Sequence, residues 1–363
     1  MKRLEINKDD LKNNIETIKN ISPNTEIIAV VKANGMGLGL VEYSKFLIEN
    51  QIKKLAVANT EEAIKLRNAG IENEILMLSP VLEKNDLQLL IDNDITLTIG
   101  SIQEFELIQR LIENFEEKEI KVHLKVDTGF GRYGFLYNDI ESILRLFDNQ
   151  ESIKILGIYT HFSKPDDEKW TSIQFNRFLK VIENIKAKGY NPGILHCSAS
   201  TAFLKYPNMR LDAVRIGSAF QGRTLVNKES LIKIGKFKSK VIEIKALPKG
   251  YNISYGNTYK TKKETLIAIV PVGYMDGLNK ARLRDDFSLK NNLISVGMEI
   301  KKIFKDNSLK VKINNKYYNI IGRLGMYHAI IDITNSNNIS IGDEVQLDIT
   351  PLQTNDIIRR EYI

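Results

Sequence analysis

A chain of 363 residues, 43% hydrophobic and 27% charged, has the balance of a soluble globular protein too long for one small domain. One cysteine, Cys197, excludes internal disulfides and cysteine-rich zinc sites, and no metal is expected. The net charge of +7 comes from lysines scattered among acidic residues, not from an arginine-rich stripe, so nucleic acid is not an expected partner. No apolar run approaches the roughly 18 residues of a membrane span, and the start Met1–Asp10 lacks a signal-peptide core, so a cytoplasmic location is expected.

From residue 26 onward, short apolar runs alternate with amphipathic stretches. Ile27–Lys32, Leu55–Ala58, Glu74–Leu78, Ile95–Ile99 and Val122–Val126 are predicted as buried strands. Ile155–Thr160, Gly193–Cys197 and Ala213–Ile216 continue the series. Helix starts lie between them. Asn59-Thr60-Glu61-Glu62 opens one, and Ser101-Ile102-Gln103-Glu104 forms a capping box before Phe105, Ile108 and Leu111 at helical spacing. Eight such units across 26–220 predict an α/β fold with a parallel sheet, in its eightfold form a (β/α)8 TIM-type barrel. Pattern alone leaves a doubly wound open sheet as the alternative.

After about residue 237 the segments become short, β-branched and punctuated by turns: Lys240–Ile244, Thr265–Val270, Leu309–Ile313, Tyr317–Ile321, Ala329–Ile333 and Glu344–Ile349. They predict a C-terminal all-β domain. The boundaries are a barrel over 1–235 and a β domain over 236–363, with the first strand residues as candidates to join the β domain.

In a barrel, chemistry sits at the C-terminal ends of the strands. Lys32 ends the first strand after three apolar residues, where desolvation would favour the neutral amine that condenses with an aldehyde. Position alone favours a lysine reaching out into water. Taken singly, His161 reads as a core histidine, Tyr255 as a strand residue packing a β core, Ser200 as a helix cap and Arg215 as an ion-pair partner of Asp212.

The segments around these residues fit together differently. Val31-Lys32-Ala33-Asn34-Gly35-Met36-Gly37-Leu38-Gly39 closely resembles the cofactor-lysine signature of the alanine racemase family. In the same chain order, His123 to Gly134, Gly157 to Phe162, His196 to Ser200, Val214 to Gly217, Ile253 to Tyr259, Val272 to Gly277 and Gly322 to Met326 resemble further segments of that family. The likeness runs from residue 1 to about 333 and touches both predicted domains.

The resemblance implies a pyridoxal 5'-phosphate enzyme that racemises a small amino acid, alanine before all, with Lys32 and Tyr255 as bases on opposite faces of Cα. It implies that Lys32 also holds the cofactor, that His161 and Arg215 lie against its ring, and that Ser200, Gly217 and Ser218 surround its phosphate. Arg132 would bind the substrate carboxylate, Lys125 would orient that arginine as a carbamate, and Met326 would line the substrate entry. Because Lys32 and Tyr255 fall in different domains, the resemblance also implies a head-to-tail homodimer with shared sites.

The likeness departs at Met36 and Leu38, where the family has tyrosine and histidine, and at Tyr327, where it has aspartate. Its gate tyrosine falls near Asp356, with Tyr362 out of register. These departures bear on phosphate affinity and substrate choice, so a racemase of serine or of a wider range stays open. A barrel-type decarboxylase is disfavoured, because the chain has no triple glycine, carries Arg215, and has its cysteine in the barrel. The β domain disfavours a non-enzymatic cofactor carrier.

Overall fold

A computed structural model describes residues 1–112, 119–148, 153–226, 230–280, 309–336 and 338–363, with position 297. The chain divides into two compact units, one of residues 8–234 and one of residues 1–7 with 235–363.

Among the described residues, the barrel of the first unit holds eight parallel strands: β1 (Glu26–Val30), β2 (Lys54–Val57), β3 (Glu74–Met77), β4 (Leu97–Ile99), β5 (Ile120–Asp127), β6 (Ile153–Tyr159), β7 (Ile194–Ala199) and β8 (Ala213–Ile216), with a short strand Phe135–Leu136 paired parallel to the end of β5. Each except β3 and β4 pairs with its neighbour in sequence, and β8 pairs back onto β1. A parallel bridge between Leu76 and Thr96 joins β3 to the approach of β4 and completes the ring. The open-sheet alternative is thereby excluded. The parallel strands are apolar because helices cover them outside while side chains fill the barrel inside. Ile28, Ala56, Leu76, Leu78, Tyr159 and Ala213 form one such cluster.

The helix starts follow their signals. Asn59 Oδ1 accepts the Glu62 amide at 2.8 Å and caps the helix Thr60–Asn68. Ser101 Oγ accepts the Glu104 amide at 3.2 Å, while the Glu104 carboxylate reaches one residue further back, to the Gly100 amide at 2.6 Å.

The second unit is built of antiparallel strands with one exception. Arg3–Ile6 pairs antiparallel with Lys236–Lys240 and parallel with Arg359–Tyr362. These strands belong to a six-stranded sheet, beside a three-stranded sheet of Glu243–Leu247, Thr265–Val270 and Ala329–Asp332, among the described residues. The strand predicted over Lys240–Ile244 is therefore two strands. The chain leaves one sheet after Lys240 and enters the other at Glu243, and a periodicity window spanning both edges merges them.

Candidate active site

The C-terminal ends of the barrel strands surround a cavity of about 480 Å³. Lys32, Lys125, Arg132, His161, Ser200, Arg215, Gly217 and Ser218 all line it. The sequence had placed these residues on five different βα units.

Lys32 is presented by an unusual turn. β1 ends at Val30, and residues Ala33, Asn34, Gly35 and Met36 then take φ values of 54°, 54°, 64° and 54°. A left-handed run costs about 1–2 kcal/mol for each residue bearing a Cβ, so its neighbours must hold it. The Asn34 amide donates to Glu62 Oε1 at 2.9 Å, Asn34 Oδ1 accepts the Leu40 amide at 2.9 Å, and Gln221 donates to the Met36 carbonyl at 2.7 Å. The turn leaves both Lys32 and Met36 lining the cavity.

Burial lowers the Lys32 pKa, the Arg132 charge lowers it further, and Glu62 partly opposes both. Lys125, almost fully buried, is pushed down to about 7 by burial and by Arg215, against the pull of Asp127. Both amines are thus shifted toward their neutral, nucleophilic form.

Arg215 is buried on β8 and donates to the Thr160 carbonyl at 2.7 Å, the His196 and Cys197 carbonyls at 3.1 and 3.2 Å, His196 Nδ1 at 2.8 Å and His161 Nδ1 at 3.2 Å. Guanidinium has only donors, so both imidazoles must accept at Nδ1 and carry their protons on Nε2. Burial, with the nearby cations led by Arg215, pushes the pKa of His161 well down, so it stays neutral. The ion pair of Arg215 with Asp212 does not form. Asp212 instead accepts the Leu195 amide at 2.8 Å.

Ser200 begins the helix Ser200–Lys205 without capping it. Its hydroxyl receives the amides of Gly217 and Ala219, each at 3.2 Å, so backbone donors converge on this wall of the cavity. Ser218 lies between them.

Arg132 is carried by a loop wound around Asp127, a residue not singled out from the sequence. The Asp127 carboxylate accepts four amides, from Gly129, Phe130, Gly131 and Arg132, at 2.8, 2.8, 2.9 and 3.1 Å. Burial opposes its ionisation, but the four donors win and hold its carboxyl below the usual range. The Arg132 guanidinium lies over the rings of Phe130 and Tyr133, 4.3 and 4.7 Å from their centroids. Asp followed by Thr-Gly-Phe-Gly was the available signal, since an acceptor side chain ahead of glycines favours such a turn.

Tyr255 and Met326 belong to the second unit. Tyr255 sits in a single helical turn between the strands Asn252–Ile253 and Tyr259–Lys260, and its side chain is 74% exposed. With Met326, Ser254, Arg323 and Tyr327 it lines a different cavity, of about 490 Å³. The predicted residues therefore form two groups, one in each unit.

Residues 6–224 match the alanine racemase N-terminal domain, and residues 234–357 match the alanine racemase C-terminal domain. The chain belongs to the alanine racemase family. It is 36% identical over 351 residues to the alanine racemase of Methanococcus maripaludis, covering 94% of this chain and 87% of that one. It is 34% identical over 355 residues to that of Clostridium tetani, covering 94% and 84%. The solved structure of alanine racemase from Clostridium difficile 630 superposes with a TM-score of 0.87 at 29% identity, covering 100% of this chain and 95% of that one.

Against its family, this alanine racemase relative places Met36 in the cavity wall, while Leu38 is fully buried. Tyr327 stacks under Lys2, whose ammonium lies 5.1 Å from the ring centroid. The side chain of Asp356 is 77% exposed, and Tyr362 pairs in register with Ile6. Among the described residues no group of side chains could hold a metal, and no helix is long and apolar enough to cross a membrane.

Proposed function

We propose that the chain interconverts L- and D-alanine using pyridoxal 5'-phosphate held in the barrel mouth, with Lys32 and Tyr255 moving the Cα proton on opposite faces. The observation that carries this reading is the gathering of a desolvated lysine, a buried arginine and a converging pair of amides around one cavity of about 480 Å³. Those groups fit the cofactor chemically: an amine for its aldehyde, hydrogen-bond donors for its phosphate, and a fixed cation for its ring nitrogen. When bound, the cofactor supplies an electron sink that acidifies the substrate Cα–H bond.

The protein's own groups do the rest. Lys32 Nζ, shifted toward the neutral amine, takes or returns the proton on one face. Tyr255 Oη, exposed on its own unit, serves the other face. Arg215 would face the ring nitrogen of the cofactor and, remaining a cation, would disfavour its protonation, which would limit side reactions. Four acceptors inside the barrel hold Arg215 in place, namely the carbonyls of Thr160, His196 and Cys197 and the ring of His196. Neutral His161 accepts from the same guanidinium. Ser200, Gly217 and Ser218 would hold the phosphate. Arg132 takes the substrate carboxylate as a bidentate donor. Lys125 is shifted toward the neutral form that adds carbon dioxide, so a carbamate there would give Arg132 an anionic partner. Met326 lines the path of the substrate.

Because the two bases lie on different units and Tyr255 is exposed, the active form we propose is a homodimer in which each site takes its tyrosine from the other copy. Its proposed place is the cytoplasm, supplying D-alanine for peptidoglycan. A wider range that includes serine is the second reading, favoured by Met36 in the cavity wall.

The test is incubation of the cofactor-loaded protein with L-alanine in heavy water, followed by chiral separation. D-alanine bearing deuterium at Cα is expected. No interconversion of the enantiomers would overturn the proposal.

A further inference from the structure

The interior of the barrel carries a polar line that the reaction itself does not use. Below Arg215, His196 Nδ1 accepts the guanidinium at 2.8 Å, and His196 Nε2 lies 2.8 Å from His123 Nδ1. His123 and His196 are both fully buried, and their rings meet edge to face at 5.0 Å. Tyr159 stacks on the other side of His196 at 4.8 Å, so the ring is clamped in one orientation. The space is built for it. A Cβ on Gly157, opposite His123 in register, would stand 2.8 Å from His123 Cε1 and 2.9 Å from its Nδ1.

The donor count fixes every proton along this line. Arg215 only donates, so His196 accepts at Nδ1 and keeps its proton on Nε2. That proton needs an acceptor, and His123 Nδ1 is the group in reach. His123 therefore carries its own proton on Nε2, which has no hydrogen-bond partner among the described residues and points toward Glu74 Oε1 at 3.9 Å. Glu74 begins β3 at the opposite end of the barrel, bound to Lys54 at 3.0 Å, and Lys54 binds Glu26 at 3.1 Å. Burial, helped by the charges of Lys54 and Arg215, pushes His123 down to about 3, so the line stays neutral below Arg215.

We propose that His123 is a positioning residue for Arg215. It accepts the Nε2 proton of His196, and so holds His196 as the acceptor that keeps the guanidinium pointed at the mouth. Without it, His196 would bury an unpaired N–H, and the ring would tilt or turn to find a partner, releasing its bond to Arg215. This rests on the reading of the mouth as the racemase site, but the hydrogen-bond line itself does not.

Two measurements test it. The chain has four histidines, so a nitrogen-15 NMR spectrum of histidine-labelled, cofactor-free protein is sparse. His123 and His196 should both be neutral with the proton on Nε2, whatever the activity. A proton on Nδ1 of His196, or an imidazolium at neutral pH, would overturn the proposal. The second arm compares His123→Leu, which removes the acceptor, with His123→Asn, whose side-chain oxygen can replace Nδ1. His123→Leu should lose about tenfold or more in kcat with KM little changed, and His123→Asn should recover most of it, while their melting temperatures do not follow that order. Wild-type kcat in His123→Leu, or no recovery in a folded His123→Asn, would also overturn it. If wild type turns over no alanine, the NMR arm still decides the line.

Discussion

Asp127 folds the loop that carries Arg132, and the last of the four amides bound by its carboxylate belongs to Arg132 itself, at 3.1 Å. Two of the amides meet Oδ1 and two meet Oδ2. An amide side chain in that place must turn its NH₂ toward two donors. Asp127→Asn should therefore loosen the loop and raise KM for the amino acid about tenfold or more, with a smaller effect on kcat. The pH sign follows from the lowered folded pKa. Asp127 contributes stability above its unfolded pKa, near 3.8, and that contribution is lost as pH falls through the lower folded value. Wild type should exceed Asp127→Asn in stability at neutral pH, with the gap closing below about pH 4. A gap that persists unchanged at pH 3 would contradict the role given to the charge.

Ser254, directly before Tyr255, sits at φ 66° and ψ 179°, a region kept almost entirely for glycine. Its hydroxyl donates to the Arg323 carbonyl, and Gly322 leaves room for its Cβ. Such strain costs on the order of 1–3 kcal/mol. Ser254→Gly should accordingly raise the melting temperature while lowering kcat, because the turn that aims Tyr255 loses its tether. Thermal unfolding beside steady-state kinetics checks this, and a variant that loses stability along with activity would refute it.

The separation of Lys32 and Tyr255 on two units leads to a complementation experiment. Tyr255→Phe should nearly abolish racemisation yet still bind cofactor, and Lys32→Ala should be inactive. Mixing the two inactive chains under conditions of subunit exchange should restore activity, since a mixed dimer assembles one complete site. Demonstrated exchange without recovery would place both bases in one chain.

In the proposed phosphate site Met36 puts a thioether where the resemblance implies a hydroxyl, and Ser200, Thr201 and Ser218 are hydroxyls that remain in the cavity wall. A lost hydrogen bond to a charged group is worth about 1.5–3 kcal/mol, roughly tenfold or more in affinity. Met36→Tyr should slow cofactor loss on dialysis and sharpen the preference for alanine over serine. Unchanged loss rates and an existing strict preference for alanine would show that Met36 costs nothing.

The barrel was legible because each strand is a largely apolar run closed by polar residues, and Lys32 follows three apolar residues at the end of the first of them. Three features were not legible. The left-handed turn after Lys32 uses Ala33, Asn34 and Met36 at positive φ, and its stabilising partners Glu62 and Gln221 are remote in sequence. The His123–His196 pair spans 73 positions, and neither residue differs from a core histidine until the ring of strands closes. The break between Lys240 and Glu243 leaves no mark because Val241 and Ile242, which fill it, are β-branched and carry the apolar strand signal across it. The likeness of segments to a family located Tyr255, which residue type alone would have assigned to packing.

The central claim is that Lys32 holds the cofactor in the barrel mouth. Protein loaded with pyridoxal phosphate should absorb in the visible, and borohydride reduction followed by peptide mapping should find the pyridoxyl group on Lys32. Label on Lys125 or any other lysine, with Lys32 unmodified, would contradict the account.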